Sequence, residues 1–487
     1  MRTETLRRIA EKVGTFVRNH SLLVAAIVVF TGTLLIHLPF ALFGAFGEQD
    51  AARIALAAQN GNLSGRLLLS NQWPFSTPLY IHFLYFLLRS EWIEAGQIAS
   101  FMTAMSVLLS SVFSTAFLVF MSRATRSLAA ALVMTVSVQL CPFFWLSSLY
   151  GFPTTPALGV FMVSATLLQT ALACRKTARV GLLIVSAALF VISVLFKADM
   201  VTAAALFCLP VWQGEGSVKR KILWTAGLFA LALLAFWALN RYGLSLSNYR
   251  QASANWRDWT NNFYGGISSM FDQRNAEIIA RSAGAASFPA ALIGIMLSLF
   301  RKERRAVVLW IVLTLVPAAV LWSMISGNSA RHNLIPAVFV TVLVGLPISF
   351  LKRRELLIWG ACILTTVTLN YVWWPPSPGT VAPSGRLIES ARLFRDGRMR
   401  RAEAAHAMTW MPENKILVYT ADHLIPYYSI AVLSAPHLAF VKKGDGKIVL
   451  KDRSTGKKKR FWFPGSRRMA AALREADEKR WTVVIGR

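Results

Sequence analysis

Residues 21–45 have the sequence SLLVAAIVVFTGTLLIHLPFALFGA, which contains no Asp, Glu, Lys or Arg. A helix rises about 1.5 Å per residue, so about 20 such residues cross the roughly 30 Å hydrocarbon core of a bilayer. No small-residue cleavage site follows the stretch, and its apolar part is longer than that of a secretory signal peptide. We therefore predict a membrane-spanning helix that is retained in the protein.

The composition extends this prediction to most of the chain. The 487 residues are 55% hydrophobic and 15% charged, with a mean hydropathy of +0.49. Soluble domains have about 45–50% apolar and about 25% charged residues, so a soluble, disordered or collagen-like chain is excluded. The four cysteines lie in or beside apolar runs, which excludes a disulfide scaffold. The composition predicts a polytopic α-helical membrane protein.

Stretches long enough to span a bilayer recur along the first three quarters of the sequence. We count about eleven, at roughly 21–45, 95–122, 127–149, 156–174, 180–196, 198–213, 222–240, 286–300, 306–325, 334–351 and 356–373. Residues 67–89 are also apolar, but Pro74 and Pro78 interrupt them. We predict a juxtamembrane helix pair there, and a twelfth span is the alternative.

Clusters of Lys and Arg occupy every second loop, which gives the orientation. Lys and Arg number 52 against 23 Asp and Glu, a net charge of +29. Basic clusters precede the first span and recur at 123–126, 175–179, 219–221, 301–305 and 352–354. Cytoplasmic loops of membrane proteins are enriched in Lys and Arg, so this side is predicted to be cytoplasmic. The N-terminus is then inside, and an odd number of spans places the C-terminus outside.

The composition changes after Trp374, where the Pro-rich residues 375–379 form a linker. We predict two domains, a transmembrane domain at 1–374 and an extracytoplasmic α/β domain at 375–487. In the second domain, helices are expected at 383–404, from about Tyr427 and at 467–479, and strands at Lys415–Ala421, Leu438–Val441, Lys447–Leu450, Arg460–Phe463 and Trp481–Ile485. Because this basic domain lies outside, the anionic membrane surface or a phosphorylated glycolipid is a better partner than nucleic acid.

The charged residues that carry chemistry lie at the outer ends of spans. The sequence has no Walker A, HExxH, CxxC or GxSxG motif, so ATP-driven transport and zinc proteolysis lack their usual signatures. The predicted outer loops instead contain Glu48, Asp50, Arg53, Arg66, Lys197, Asp199, Arg331 and His332. Such a set suits a substrate with a lipid tail and a phosphate head: the cations would hold the phosphate and a carboxylate would deprotonate an acceptor hydroxyl.

Four segments carry a resemblance to a known family. They are DAARIA at 50–55, WPFSTPLY at 73–80, FKAD at 196–199 and ARHNLIP at 330–336. In their order and sidedness they resemble the GT-C fold glycosyltransferases, in particular the family 39-like group of protein O-mannosyltransferases and lipid A aminoarabinose transferases. The resemblance implies a GT-C-like fold and transfer of one sugar, with inversion, from a polyprenyl-phosphate donor on the periplasmic face of a bacterial inner membrane.

The resemblance also implies roles for the acidic residues. Asp50 would be the general base that takes the proton of the acceptor hydroxyl, and Arg53 would fix this base or bind phosphate. A second acid often follows the first in the group, but here Ala51 occupies that position, and Glu48 is the substitute. The acceptor stays open between lipid A or lipopolysaccharide, another envelope glycan and a protein hydroxyl.

The donor phosphate would contact the basic residues. Lys197, Arg331 and His332 would stabilise the departing polyprenyl phosphate. The group usually has a Lys where Thr77 stands, so Arg66 is a further candidate for a phosphate contact. The resemblance implies no certain cofactor, since the lipid-phosphate sugar is a substrate, and it leaves a divalent metal open.

Structural interpretations compete with these roles. Asp50 is a suitable N-cap for the helix that follows it. Lys197 and Asp199 can form a simple ion pair at a span end, and Arg331 can extend its charge from a helix start to the interface. At the level of the whole protein, a transporter or flippase of lipid-linked sugars is the alternative to the enzyme, and a structural membrane protein is the third class.

Overall fold

The protein is described by a computed structural model. It covers residues 20–41, 51, 54–55, 58, 78–94, 97–141, 144, 147–149, 151–174, 176–214, 216–243, 282–323, 334–372, 417–418, 439–440, 447–452, 458–462 and 481–483.

The described chain is mostly helical up to residue 372. The α-helices are α1 (Ser21–Ala41), α2 (Pro78–Arg89), α3 (Ile98–Thr125), α4 (Leu128–Gln139), α5 (Thr154–Ala173), α6 (Lys176–Phe196), α7 (Ala204–Gln213), α8 (Val218–Gly243), α9 (Ser287–Leu299), α10 (Lys302–Ser323), α11 (Leu334–Gly345) and α12 (Arg353–Val372). A 3₁₀ helix at Ala198–Ala203 precedes α7, and another at Leu346–Ser349 follows α11.

Each predicted span overlaps one of these helices, but the helices differ in length. Within the described residues, five are long and apolar enough to cross a membrane: Ser21–Leu38, Ile98–Thr125, Thr154–Ala173, Ala178–Phe196 and Val218–Ala238. They indicate a multi-pass membrane protein, and the count of eleven spans stays a prediction. Helix α4 is shorter than its predicted span, because it ends at Gln139 just before Cys141 and Pro142.

The chain divides into two compact units, of which the first contains residues 1–37, 107–147 and 154–387. In this unit α5 packs along α6. The hydroxyl of Ser164 donates to the carbonyl oxygen of Ser186 at 2.7 Å, and the Ser186 hydroxyl donates back to the Ser164 carbonyl oxygen at 2.8 Å. Both serines are fully buried. Small polar residues let membrane helices approach and hydrogen-bond, which explains this contact.

Helices α3 and α5 also approach closely. A Cβ atom added at Gly159 would lie 2.6 Å from the carbonyl oxygen of Leu109, so only glycine fits there without a shift. About two turns after Gly159 in α5, the hydroxyl of Thr166 donates to the Ala116 carbonyl oxygen at 3.1 Å. The Gln169 amide donates to the Phe120 carbonyl oxygen at 3.3 Å. The two helices are therefore joined by a glycine contact and by polar side chains.

Basic residues near the starts of three helices cap the ends of the helices that precede them. Arg179 donates to the carbonyl oxygen of Cys174, just after α5, at 3.0 Å. Lys221 donates to the Trp212 carbonyl oxygen in the last turn of α7 at 2.9 Å, and Arg305 donates to the Leu299 carbonyl oxygen of α9 at 2.7 Å. The last carbonyl groups of a helix lack intrahelical partners, and cations are favoured there.

The second unit contains residues 38–106, 148–153 and 388–487. Helix α2 is 12 residues long and packs against the start of α3, where the rings of Phe83 and Phe101 lie 6.1 Å apart. The buried hydroxyl of Tyr80 donates to the carbonyl oxygen of Gly151 at 3.3 Å. Gly151 has a φ of +66° and lies against Met102.

The strands within the described residues all lie beyond residue 416. Strands β1 (Leu417–Val418) and β2 (Ala439–Phe440) pair in parallel, and β3 (Lys447–Asp452) lies between β4 (Lys458–Trp462) and β5 (Trp481–Val483), antiparallel to both. Each strand overlaps one of the strands expected from the sequence. The expected helices of this region lie outside the described residues, so the α/β domain and its boundary at residue 375 stay predictions.

Candidate functional site

Most of the predicted site residues lie outside the described part of the chain. These are Glu48, Asp50, Arg53, Arg66, Arg331 and His332. Directly after Asp50, however, the helical residues Ala51, Ile54, Ala55 and Ala58 are all fully buried. Spacings of three, four and seven residues place these side chains on one face of a helix. The helix expected after Asp50 is therefore present, while the roles of the six site residues stay predictions.

Lys197 is the one predicted phosphate ligand within the described residues. It follows the last residue of α6 and precedes the 3₁₀ helix, with extended backbone angles of φ −154° and ψ 114°. Its backbone N–H donates to the Ser193 carbonyl oxygen, and its carbonyl oxygen accepts from the N–H of Met200, each at 3.0 Å. Lys197 is thus fixed at the turn where one helix ends and the next begins.

The ammonium group of Lys197 pairs with Asp199. Nζ and Oδ2 lie 3.5 Å apart, and the two side chains are only 4% and 9% exposed. Leu195, Met200 and Ala203 around them are buried as well. The ion pair that the sequence offered as the structural alternative is therefore observed. A buried charge in apolar surroundings requires a partner, and Asp199 satisfies this requirement for Lys197.

His37, the ionisable residue within the first span, is fully buried in α1. Its Nδ1 donates to the carbonyl oxygen of Thr33, one turn earlier, at 3.0 Å. This hydrogen bond lies within α1 and gives one of the two ring nitrogens of His37 a partner.

No three His, Cys, Asp or Glu side chains come together among the described residues. Glu48 and Asp50, the carboxylates nearest to the predicted sugar-transfer site, lie outside these described residues.

Sequence reasoning missed a polar cluster around Asn370 in α12. The Asn370 side chain accepts a hydrogen bond from the Ala286 N–H at 3.1 Å and donates to the Ser287 hydroxyl at 2.9 Å. It therefore caps the start of α9. A cavity of about 20 Å³ lies beside it, lined also by Ser137 and Thr366, and this is enough room for about one water molecule. Asn370 lies 84 residues from Ala286 along the chain, so no local motif signals the contact.

No protein family and no curated protein matches the amino-acid sequence. Solved structures do match. ArnT from Cupriavidus metallidurans bound to undecaprenyl phosphate aligns over 86% of this chain and 86% of its own, with 13% identity and a TM-score of 0.54. The apo state of the same protein aligns over 84% and 74%, with 13% identity and a TM-score of 0.49. The oligosaccharyltransferase AglB from Archaeoglobus fulgidus, in complex with an inhibitory peptide and a dolichol-phosphate, aligns over 88% and 57%, with 10% identity and a TM-score of 0.41.

The first of these alignments establishes the fold. It covers most of both chains, so this protein has the fold of ArnT, and the GT-C fold expected from the four sequence segments is confirmed. At 13% identity the likeness concerns the fold and leaves the activity to be argued from the residues.

Proposed function

We propose that the protein is a membrane glycosyltransferase, which moves one sugar from a polyprenyl-phosphate carrier to a hydroxyl group of a cell-envelope acceptor. The observation that carries the proposal is the likeness to ArnT over 86% of both chains, because that structure was solved with undecaprenyl phosphate bound. A fold hosts many activities, so the proposal also depends on the residues at the outer ends of the helices.

Lys197 supports a phosphate site. As the sugar leaves, negative charge develops on the carrier phosphate, and a fixed cation stabilises it most strongly where water is excluded. Lys197 is buried and positioned by backbone hydrogen bonds at the end of α6. An ammonium group has three N–H donors, so it can contact Asp199 and a phosphate oxygen together. Arg66, Arg331 and His332 are the further proposed phosphate contacts.

Asp50 is the proposed general base. The acceptor oxygen attacks the anomeric carbon, the bond from this carbon to the phosphate oxygen breaks, and the acceptor proton passes to Asp50. Attack from the face opposite the leaving phosphate inverts the anomeric centre. The described helical residues that follow Asp50 in the sequence, Ala51, Ile54, Ala55 and Ala58, are fully buried, which agrees with the helix expected after the proposed base. Arg53 would lie one turn further along this helix, and Glu48 is the second candidate acid.

The proposed location is the periplasmic face of a bacterial inner membrane. Helix α6 has 21 residues and separates Arg179, in its first turn, from Lys197 just beyond its end. If the basic loops face the cytoplasm, Lys197 faces the other side. A periplasm-dependent reporter fused after residue 380 should then be active, and the same reporter within 301–305 should be silent. A silent reporter at 380 would require an even number of spans, with 67–89 as the additional one.

The decisive experiment is a transfer assay with the purified full-length protein. It is incubated with undecaprenyl-phosphate sugars and a lipid extract that contains envelope acceptors, and free undecaprenyl phosphate is measured. General bases contribute about 10²–10⁴-fold, so Asp50→Asn should lower the rate by that factor at unchanged thermal stability. Glu94→Gln is the matched control, because Glu94 is an exposed carboxylate of the same predicted outer loop.

The outcomes separate the competing interpretations. Full activity of Asp50→Asn, with lower stability of Asp50→Ala, would identify Asp50 as a helix cap and make Glu48 the candidate base. Transfer that persists in Glu48→Gln as well would refute the mechanism. Movement of the intact lipid-linked sugar across a bilayer, without release of undecaprenyl phosphate, would identify a transporter.

A further inference from the structure

A groove opens between the first turns of α1 and the last turns of α3, within the first unit. Its volume is about 440 Å³, which is in the range of small-molecule sites, about 300–1,000 Å³. The walls combine polar and apolar side chains. They include His20, Ser21, Leu23, Ala26, Val119 and Arg123.

Arg123 gives the groove a fixed positive charge. A hydrogen bond fixes the guanidinium group: its Nη1 donates to the hydroxyl of Thr170 on α5 at 2.8 Å. A guanidinium has five N–H donors in a planar fork, which matches the oxygen atoms of a phosphate. Ser21 is the first residue of α1, and the positive end of the helix dipole at an N-terminus also favours an anion.

The apolar part of the groove continues onto the lipid-facing side of α1. Leu23 and Ile27, one turn apart, are 53% and 56% exposed. Only 17% of the span Ser21–Leu38 is buried within the protein. The groove therefore presents a basic end beside an apolar surface that faces acyl chains. This arrangement fits a ligand with an anionic head and a hydrocarbon tail better than a free anion.

We propose that this groove binds an anionic phospholipid, with the phosphate on Arg123 and an acyl chain along Leu23, Ala26 and Val119. Basic pockets between membrane helices are typical sites for such head groups. The chain's own N-terminal segment is a poorer occupant, since residues 1–18 carry five basic side chains against Glu4 and Glu11 and so share the sign of Arg123. The proposal is independent of the sugar-transfer function.

The test uses the full-length protein in mixed micelles that contain phosphatidylglycerol or phosphatidylcholine with identical acyl chains, and native mass spectrometry counts the bound lipid. Phosphatidylglycerol should bind one site at least about tenfold more tightly, and Arg123→Gln should weaken it about ten- to a hundredfold. Arg126→Gln is the matched control: it removes the same charge three residues away, outside the groove. It should change binding by at most about fivefold, the contribution of a basic residue near an anionic surface.

Two further variants separate charge, shape and folding. Ala26→Trp fills the apolar part of the groove at constant charge and should also release the lipid. Thr170→Val removes the hydrogen bond to Arg123 but keeps the guanidinium, so its loss of binding should be smaller than that of Arg123→Gln. A melting temperature measured for each variant in lipid-free micelles verifies that the protein is folded.

Several results would overturn the proposal. These are equal binding of the two lipids by the wild type, equal losses in Arg123→Gln and Arg126→Gln, and full competition by glycerol phosphate, which would identify a soluble anion. Lipid binding that appears only after removal of residues 1–18 would show that the N-terminal segment fills the groove.

Discussion

Replacing Lys197 with Met tests the buried ion pair through the free energy of unfolding. Loss of one partner of such a pair leaves a buried charge and costs about 3–5 kcal/mol. The Asp199 carboxyl can instead take up a proton, and from an ordinary pKa of about 3.9 this costs about 4 kcal/mol at pH 7. With side chains only 4% and 9% exposed, we expect Lys197→Met to lose about 3–4 kcal/mol at pH 7.

A double substitution provides the matched control. Lys197→Met with Asp199→Leu removes both charges and keeps apolar groups of similar volume, and such exchanges are neutral or stabilising by about 1–4 kcal/mol. The double variant should therefore be at least as stable as the wild type. Asp199→Leu alone should cost less than Lys197→Met, because the lysine stem can extend its ammonium toward water.

The assay is denaturant unfolding in detergent micelles, followed by tryptophan fluorescence, with sugar transfer measured in parallel. A wild-type stability for Lys197→Met, or a double variant as unstable as that single variant, would refute the reasoning about the buried pair. Transfer then separates the two roles of Lys197. A stable but inactive double variant supports the phosphate contact, whereas a stable and active one leaves only the ion pair.

Two further predictions concern helix packing and are checked by the same unfolding measurement. Gly159→Ala places a methyl group 2.6 Å from a backbone oxygen of α3 and should cost about 1–3 kcal/mol. Gly181→Ala has no atom within 4 Å of the new methyl and should stabilise α6 by about 0.5–1 kcal/mol, so equal effects would contradict the packing argument. Thr314→Val removes the acceptor of the buried Leu206 N–H at 3.1 Å and should cost about 1–3 kcal/mol. Thr368→Val, exposed to the membrane side, should stay within about 0.5 kcal/mol.

The positions of the helices follow closely from the sequence, because apolar runs in a membrane must satisfy their backbone groups internally. The deviations have local causes. Helix α4 ends at Gln139 although the apolar run continues to Leu149. Cys141 precedes Pro142, and the residue before a proline disfavours the helical conformation. The span predicted at 198–213 begins instead as a 3₁₀ helix before α7.

The candidate site was predictable only where its residues are neighbours in sequence. Lys197 and Asp199 are two residues apart at a predicted span end, and the sequence offers their ion pair as the alternative to a phosphate contact. Contacts such as Arg123 with Thr170 join residues 47 positions apart. From the sequence, Arg123 is only one of the basic residues that indicate the orientation of the chain in the membrane. The sequence gives the charge of this residue but not the residues that it contacts.

The arginine and lysine caps at the ends of α5, α7 and α9 limit which substitutions the starts of α6, α8 and α10 tolerate. Exchange of Arg for Lys keeps the positive charge that orients the chain during membrane insertion. It replaces the planar guanidinium group, with its five N–H donors, by a compact ammonium group. Arg179 reaches the carbonyl oxygens of both Leu172 and Cys174 through one guanidinium nitrogen, Nη2, so a lysine at this position would have to place its ammonium group at the same point to keep both contacts. A variant at one of these helix starts can therefore insert in the correct orientation and still have a frayed helix end before it, so correct topology alone is an incomplete criterion for a folded membrane domain.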